Sequence, residues 1–193
     1  LVISDELCRE NLALILDRAR ELDNFIRIDM EDSGLTARTL ETLAWAREQG
    51  YANVGIVIQS YLYRSGQDIA SILAQKGRVR LCKGAYDEPP AVAYPEKKDV
   101  DASYDQLAAD LIAGAIAAGS PKISANGRIP PVPAFATHDP ARIRNAQVEA
   151  QRQGLAIDAY EFQMLYGIRR DLQEVLAAQG HPVRIYVPYG TRW

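Results

Sequence analysis

The feature that most constrains the fold of this chain is a regular alternation of two hydrophobic periods. Short β-rich runs recur at Phe25 to Met30, Val54 to Ser60, Val79 to Tyr86, Val132 to His138, Ala159 to Leu165 and Val183 to Tyr189. Between them lie stretches with helical spacing. Asp5 to Asp23 puts Leu7, Leu12, Ile15, Leu16 and Ala19 on one face, and Thr36 to Gln49 carries Leu40, Leu43, Ala44 and Ala46. Gln67 to Lys76, Tyr104 to Ala118, Pro140 to Gln153 and Gly167 to Gln179 follow the same pattern, the last with Val175 and Leu176 on its apolar side. Asp139 before Pro140 reads as an N-cap, and Gly180 as a C-cap. The runs start at 25, 54, 79, 132, 159 and 183, so four of the five intervals are one βα unit long and the third, of 53 residues, holds an insertion. Strict βα alternation predicts a parallel sheet, either doubly wound or closed into an eight-stranded barrel.

Side-chain parity along the runs favours the barrel. One parity is apolar: Ile26 and Ile28, Ile56 and Ile58, Leu81, Phe135, Phe162 and Met164, then Val183, Ile185 and Val187. The other carries Arg27 and Asp29, Gln59, Arg80, His138, Glu161 and Gln163, Arg184 and Tyr186. A doubly wound sheet lies under helices on both faces, so its strands read apolar throughout. A barrel interior whose upper layers line a ligand cavity accommodates the charge; an internal ion network without a ligand is the plainer alternative. The fold class is therefore α/β, a (β/α)8 TIM-type barrel. Such a barrel takes about 250 residues. The 193 residues show six strands and open on a helix, and the chain begins at Leu1-Val2 and stops at Thr191-Arg192-Trp193. Both ends read as cut, with two N-terminal strands and the last helix expected to be missing from residues 1–193.

Composition excludes several classes. Net charge is −3, and no basic stripe marks a nucleic-acid partner. The longest apolar stretch, around Leu111 to Gly119, is too short to span a bilayer. Cys8 and Cys82 stand 74 residues apart in no metal spacing, which points to a reducing, cytoplasmic setting without a disulfide framework. The G-x-G-x-x-G, Walker, H-E-x-x-H and G-x-S-x-G patterns are absent. With His138 and His181 as the only histidines, a metal would depend on carboxylates such as Glu31-Asp32, which more often solvate a helix start; no metal is expected.

Active sites of parallel barrels sit at the C-terminal strand ends. Those ends hold Asp29-Met30-Glu31-Asp32, Gln59-Ser60-Tyr61, Lys83-Gly84-Ala85-Tyr86, Ala136-Thr137-His138-Asp139, Gln163-Met164-Leu165-Tyr166-Gly167 and Tyr186-Val187-Pro188-Tyr189-Gly190-Thr191. Gly84 after Lys83 suits close approach of a ligand to the backbone, and equally a plain turn. Cys82 has interior parity but no identifiable base, and reads as packing.

These strand ends resemble the proline dehydrogenase family. The matching segments are Arg-Ile-Asp-Met-Glu-Asp (27–32), Ile-Val-Ile-Gln-Ser-Tyr (56–61), Arg-Leu-Cys-Lys-Gly-Ala-Tyr (80–86), Ala-Thr-His-Asp (136–139), Glu-Phe-Gln-Met-Leu-Tyr-Gly-Ile-Arg (161–169) and Arg-Ile-Tyr-Val-Pro-Tyr-Gly (184–190). They appear in the family's order across nearly the whole chain, in the style of the short monofunctional bacterial members. The resemblance implies a distorted barrel holding FAD noncovalently. It also implies oxidation of L-proline to Δ1-pyrroline-5-carboxylate, the first step of proline catabolism to glutamate, with hydride transfer to flavin. On the same basis Arg80 would be the cation beside the flavin's reactive edge, and Asp29 would organise the site by pairing with a cation. Met30, Gln59, Lys83, Gly84, Ala85, Thr137 and His138 would contact the cofactor. Tyr86, Leu165 and Tyr186 would wall the proline ring. A quinone is the implied electron acceptor, which suggests peripheral contact with the inner face of a membrane, and a pyrroline-5-carboxylate dehydrogenase is an implied partner.

Two departures temper this. The family's paired arginines for the substrate carboxylate belong to a final helix beyond Trp193, and Arg169-Arg170 follows the wrong strand to replace them. The family's early-strand lysine is missing as well, so residues 1–193 are expected to bind proline poorly. Two other readings stand beside this one: a Schiff-base, aldolase-like barrel enzyme using Lys83, and an inactive fragment.

Overall fold

In the computed structural model, which describes residues 3–190, six parallel strands follow one another in chain order. They are β1 (Ile26–Ile28), β2 (Val54–Gln59), β3 (Val79–Cys82), β4 (Pro133–Ala136), β5 (Glu161–Leu165) and β6 (Val183–Tyr186). The helices are α1 (Asp5–Glu21), α2 (Thr36–Glu48), α3 (Ser65–Ala74), α4 (Lys97–Ala117), α5 (Pro140–Gln153) and α6 (Arg170–Ala178). A doubly wound sheet reverses its strand order at the centre. The order β1-β2-β3-β4-β5-β6 has no reversal, so the sheet is of the barrel type. The cut ends expected at Leu1-Val2 and at Thr191-Arg192-Trp193 lie outside the described residues.

Register places the two parities on the two faces. Val57, Arg80, Ala134 and Glu161 are aligned across β2 to β5, and Gln163–Arg184 and Leu165–Tyr186 continue that face into β6. The opposite face aligns Ile58, Leu81, Phe135, Phe162 and Val183. Ile56, Leu81, Phe135 and Phe162 are fully buried there under the helices, in a core that also takes Leu16, Leu43, Tyr104, Leu111, Ile143 and Leu176. The sheet curls toward its polar side. Arg27 and Asp29 from β1 and its end share one cavity of about 290 Å³ with Arg80, Gln163, Arg184 and Tyr186.

Helix boundaries moved where the apolar signal is weak. α4 begins at Lys97, seven residues before the expected Tyr104, because its first two turns carry charge: Lys97 pairs with Asp101 along the helix, while Arg142 reaches Asp101 and Asp105. α6 begins at Arg170, since Gly167 and Arg169 are both left-handed (φ 78° and 52°) and cannot lie inside a helix. Some expected core positions are in fact exposed: Leu7 and Ile15 of α1, and Val175 of α6. Gly114 is needed where α4 crosses α3, for a Cβ there would stand 2.5 Å from Leu73 Cδ1.

The long third interval supplies material at both ends of the sheet. Residues 83–96 turn over the C-terminal ends. Residues 118–132 close the N-terminal ends: Arg128 donates to Leu22 O (2.6 Å), Arg184 to Gly127 O (2.9 Å) and Arg78 to Pro130 O (2.7 Å).

Candidate active site

The inward face divides into two polar levels. Toward the N-terminal ends, Glu161 is 1% exposed and accepts from Arg184 Nε (3.0 Å) and Nη2 (2.9 Å) and from Gln163 Nε2 (2.5 Å). Arg27 joins this level with Nη1 donating to Ile56 O at 3.2 Å, while its buried Nη2 has no partner. Burial, offset in part by Glu161 and reinforced by Arg80, Arg184 and Arg78, pushes the Arg27 guanidinium down to about 9. The ion network weighed from the sequence therefore exists, at the barrel floor, and does not consume the residues above it.

Toward the C-terminal ends lies a cavity of about 320 Å³, lined among others by Asp29, Arg80, Ala85, His138, Leu165 and Tyr186. Arg80 Nη2 donates to Asp29 Oδ1 at 2.6 Å, and its guanidinium stands 5.5 Å from the Tyr186 ring centroid. Asp29 Oδ1 also accepts the Met30 N–H at 3.1 Å. The Arg80 side chain is only 15% exposed, and its buried Nε has no partner. Gln59 is on the inward face, aligned with Cys82, and its buried Oε1 is likewise without a partner. A fork donor and an amide acceptor left unsatisfied at the same ends of neighbouring strands are what a bound polar ring would use. His138 Nε2 accepts the Leu165 N–H at 2.9 Å, which leaves the ring proton on Nδ1. Burial, and then the charge of Arg169, hold His138 below its ordinary 6.5, so the ring is neutral.

Six of the twelve residues singled out from the sequence thus line one cavity. The others are placed differently. Met30 packs into the hydrophobic core with its N–H spent on Asp29, so the side-chain contact expected for it is not available. Thr137 is buried, and its Oγ1 accepts the Asp139 N–H at 3.1 Å. Lys83 points outward between α4 and α5, where Nζ donates to Asp101 and, at 2.7 Å, to Asp139. Burial alone would lower its pKa, but those two hydrogen bonds outweigh burial and hold it above the ordinary value. A lysine kept charged by two carboxylates is a poor Schiff-base amine, which weighs against the aldolase-like reading. Gly84 takes φ 117° with the Tyr61 ring where a Cβ would be, so the glycine serves a close approach within the protein. Tyr86 is not itself among the lining residues: it follows Ala85, which is, and its hydroxyl donates to Glu31.

Sequence reasoning missed Cys82, Ala136, Gln163 and Met164 as lining residues. For Cys82 and Gln163 the signal was present, as both share the parity of Arg80. Burial pushes the Cys82 thiol up to about 11, with Arg80 opposing, so it is an unreactive wall. Asp32 caps a short 3-10 turn through Gly34 N–H (2.9 Å), and among the described residues no group of three or more metal-ligating side chains is arranged to hold an ion.

Comparison with known proteins gives one consistent result. The family model described as "Proline dehydrogenase" matches residues 3–192. A curated proline dehydrogenase of Deinococcus radiodurans is 42% identical over 98% of this chain and 56% of its own length. Proline dehydrogenase 1 of Bacillus subtilis (strain 168) is 37% identical over 100% and 59%. The chain thus spans under two thirds of the length of these relatives. Among solved structures, proline utilization A from Bdellovibrio bacteriovorus, inactivated by N-propargylglycine, superposes with a TM-score of 0.83 at 28% identity, covering 98% of this chain and 20% of that one. The bifunctional proline utilization A protein gives 0.73 at 25% identity, over 94% and 19%. With an inward-facing Arg–Asp pair at the C-terminal ends of a curled parallel sheet, and with these likenesses over nearly every residue, the chain belongs to the proline dehydrogenase family.

Proposed function

We propose that residues 1–193 form part of a barrel domain that oxidises L-proline to Δ1-pyrroline-5-carboxylate with a noncovalently bound flavin, FAD. The observation that carries this reading is the Asp29–Arg80 pair, with Arg80 Nε buried and unsatisfied and Gln59 Oε1 likewise on the inward face of the neighbouring strand. A flavin fits that donor and acceptor set, because its ring edge offers both acceptors and an N–H. When bound, it supplies the two-electron acceptor that no side chain here provides.

The residues of this chain do the rest. Proline loses a proton from nitrogen and the C–H bond beside it, so charge moves toward the electron acceptor as the C=N bond forms. Arg80 stands as a preorganised cation for that charge, and Asp29 and the Tyr186 ring fix its direction. Leu165, Met164 and Ala136 offer the apolar wall a pyrrolidine ring needs. Neutral His138 holds the Leu165 backbone in place and presents an N–H from Nδ1. Gln59 would hold the flavin ring, and Ala85 would face it from the cavity rim; Lys83 would act by fixing the end of β3 from which Ala85 follows. A quinone acceptor, peripheral membrane contact and hand-over of the product to a pyrroline-5-carboxylate dehydrogenase belong to the same proposal. Among the described residues no helix is long and apolar enough to cross a membrane.

The test is a visible spectrum of the purified protein. A flavin band that bleaches on anaerobic addition of L-proline supports the reading. Purified protein that carries no flavin, and takes none up from added FAD, overturns it.

A further inference from the structure

The loops after β1 and β3 meet at the C-terminal ends of the sheet, where Asp29 and Ala85 line the cavity. Beyond Lys83 the backbone turns at Gly84, where the Tyr61 ring blocks any Cβ at 2.5 Å. Ala85 then lines the cavity, and Tyr86 turns toward the β1 loop, donating from its hydroxyl to Glu31 Oε2. Two residues on, Glu88 accepts from both the N–H (2.6 Å) and the hydroxyl of Ser33. Farther along, Tyr94 N–H reaches Tyr61 O at 2.8 Å and Tyr63 N–H reaches Val92 O at 3.1 Å, anchoring the far end over β2. The stretch 85–88 thus has carboxylate bonds to the β1 loop at two points. At the first of them Tyr86 is 44% exposed, so packing does little to hold it.

We propose that Glu31 and Glu88 are positioning residues for the substrate: they clasp the β3 loop to the β1 loop and so set Tyr86 and Ala85 at the rim of the cavity. The hydroxyl of Tyr86 is pushed up to about 12, first by its hydrogen bond to Glu31 and then by burial and the neighbouring charges of Glu31, Asp29 and Asp32, so it remains a donor across the neutral range. A hydrogen bond from a neutral donor to a carboxylate is among the stronger kinds. The inference rests on the proposed reading of the cavity as a proline site. Because the clasp touches neither Arg80 nor Gln59, it acts on how the ring is seated and not on the charge that develops during oxidation.

The test uses the flavin-loaded protein. Glu31→Ala should raise the KM for proline roughly 5- to 10-fold while kcat changes less than about twofold, the size of one charge-assisted hydrogen bond discounted for exposure. Glu31→Gln keeps an acceptor for the Tyr86 hydroxyl and should stay near the parent. Tyr86→Phe should match Glu31→Ala, and the double variant should be no worse than either alone. The flavin spectrum should be unchanged throughout. Amide hydrogen exchange over 85–88 should speed up in Glu31→Ala and Glu88→Ala, which judges the clasp without turnover. A parent protein that proline does not reduce would overturn the activity reading, and the exchange measurement would still decide whether the clasp orders the loop. Unchanged exchange, or additive effects of Glu31→Ala and Tyr86→Phe, would overturn the clasp.

Discussion

Replacing Arg80 by Met separates what this cation contributes to the fold from what it contributes to chemistry. Its partner Asp29 has a side chain 54% exposed, so the ion pair is well solvated on one side and contributes less than about 1 kcal/mol to stability. Loss of the charge also relieves repulsion on Arg27, whose guanidinium is already lowered by burial and then by the arginines around it. Arg80→Met keeps most of the side-chain volume over the Tyr186 ring. Thermal stability should therefore stay within a few degrees of the parent, which for a protein of this size corresponds to about 1 kcal/mol. The chemical step behaves differently. A preorganised donor aimed at developing charge contributes roughly 3 kcal/mol, or about 100-fold in rate. Anaerobic stopped-flow reduction of the bound flavin by proline, beside a thermal melt, measures both. The flavin's reduction potential should fall in the same variant. Reduction at the parent rate, or a melt that collapses together with flavin binding, would show that Arg80 is an ordinary structural arginine.

Other outcomes follow from the same geometry. Gly84→Ala meets both a left-handed backbone and the Tyr61 ring at 2.5 Å, so it should cost roughly 2–4 kcal/mol in chemical denaturation; a loss under about 0.5 kcal/mol would show that the turn is pliable. Glu161→Gln removes the buried carboxylate that pairs with Arg184 and acts on Arg27 and should cost about 3–5 kcal/mol, more than Arg27→Met, which removes a cation whose Nη2 has no partner; the reverse ranking would refute the floor network. His138 and His181 both sit below their ordinary 6.5 in the folded chain, so the unfolded chain binds the extra protons. Stability should be full above pH 6.5 and fall as the pH drops through that value toward the lower folded pKa. His138→Asn should flatten part of that slope, and an unchanged slope would mean that His138 takes up its proton equally readily in the folded and unfolded chain.

The alternation of periods was legible because a strand two-fold and a helix 3.6-fold repeat are local properties, written in neighbouring residues. So were the two faces of the sheet: the parity that separates Ile58, Leu81 and Phe162 from Gln59, Arg80 and Gln163 follows from the pleat, and parallel pairing carries it from strand to strand. The position of Arg80 near Asp29 was legible only through motif resemblance, since the two are 51 residues apart and their 2.6 Å contact depends on the curl of the sheet. Local pattern failed where a side chain's role depends on a partner brought in by the fold. Lys83 reads as a ligand at a strand end, yet it follows the last inward-facing residue of β3 and so meets Asp101 and Asp139 on the helical side. Met30 reads as a site neighbour and falls on the core face for the same reason. The charged first turns of α4 hid its start, because their partners come from Lys83, just past β3, and from α5. Glu31 read as an acid that solvates a helix start, and nothing in the sequence singled out Glu88. Only tertiary structure pairs them with Tyr86 and Ser33, since that pairing needs two loops, 55 residues apart in sequence, to cross the same end of the sheet.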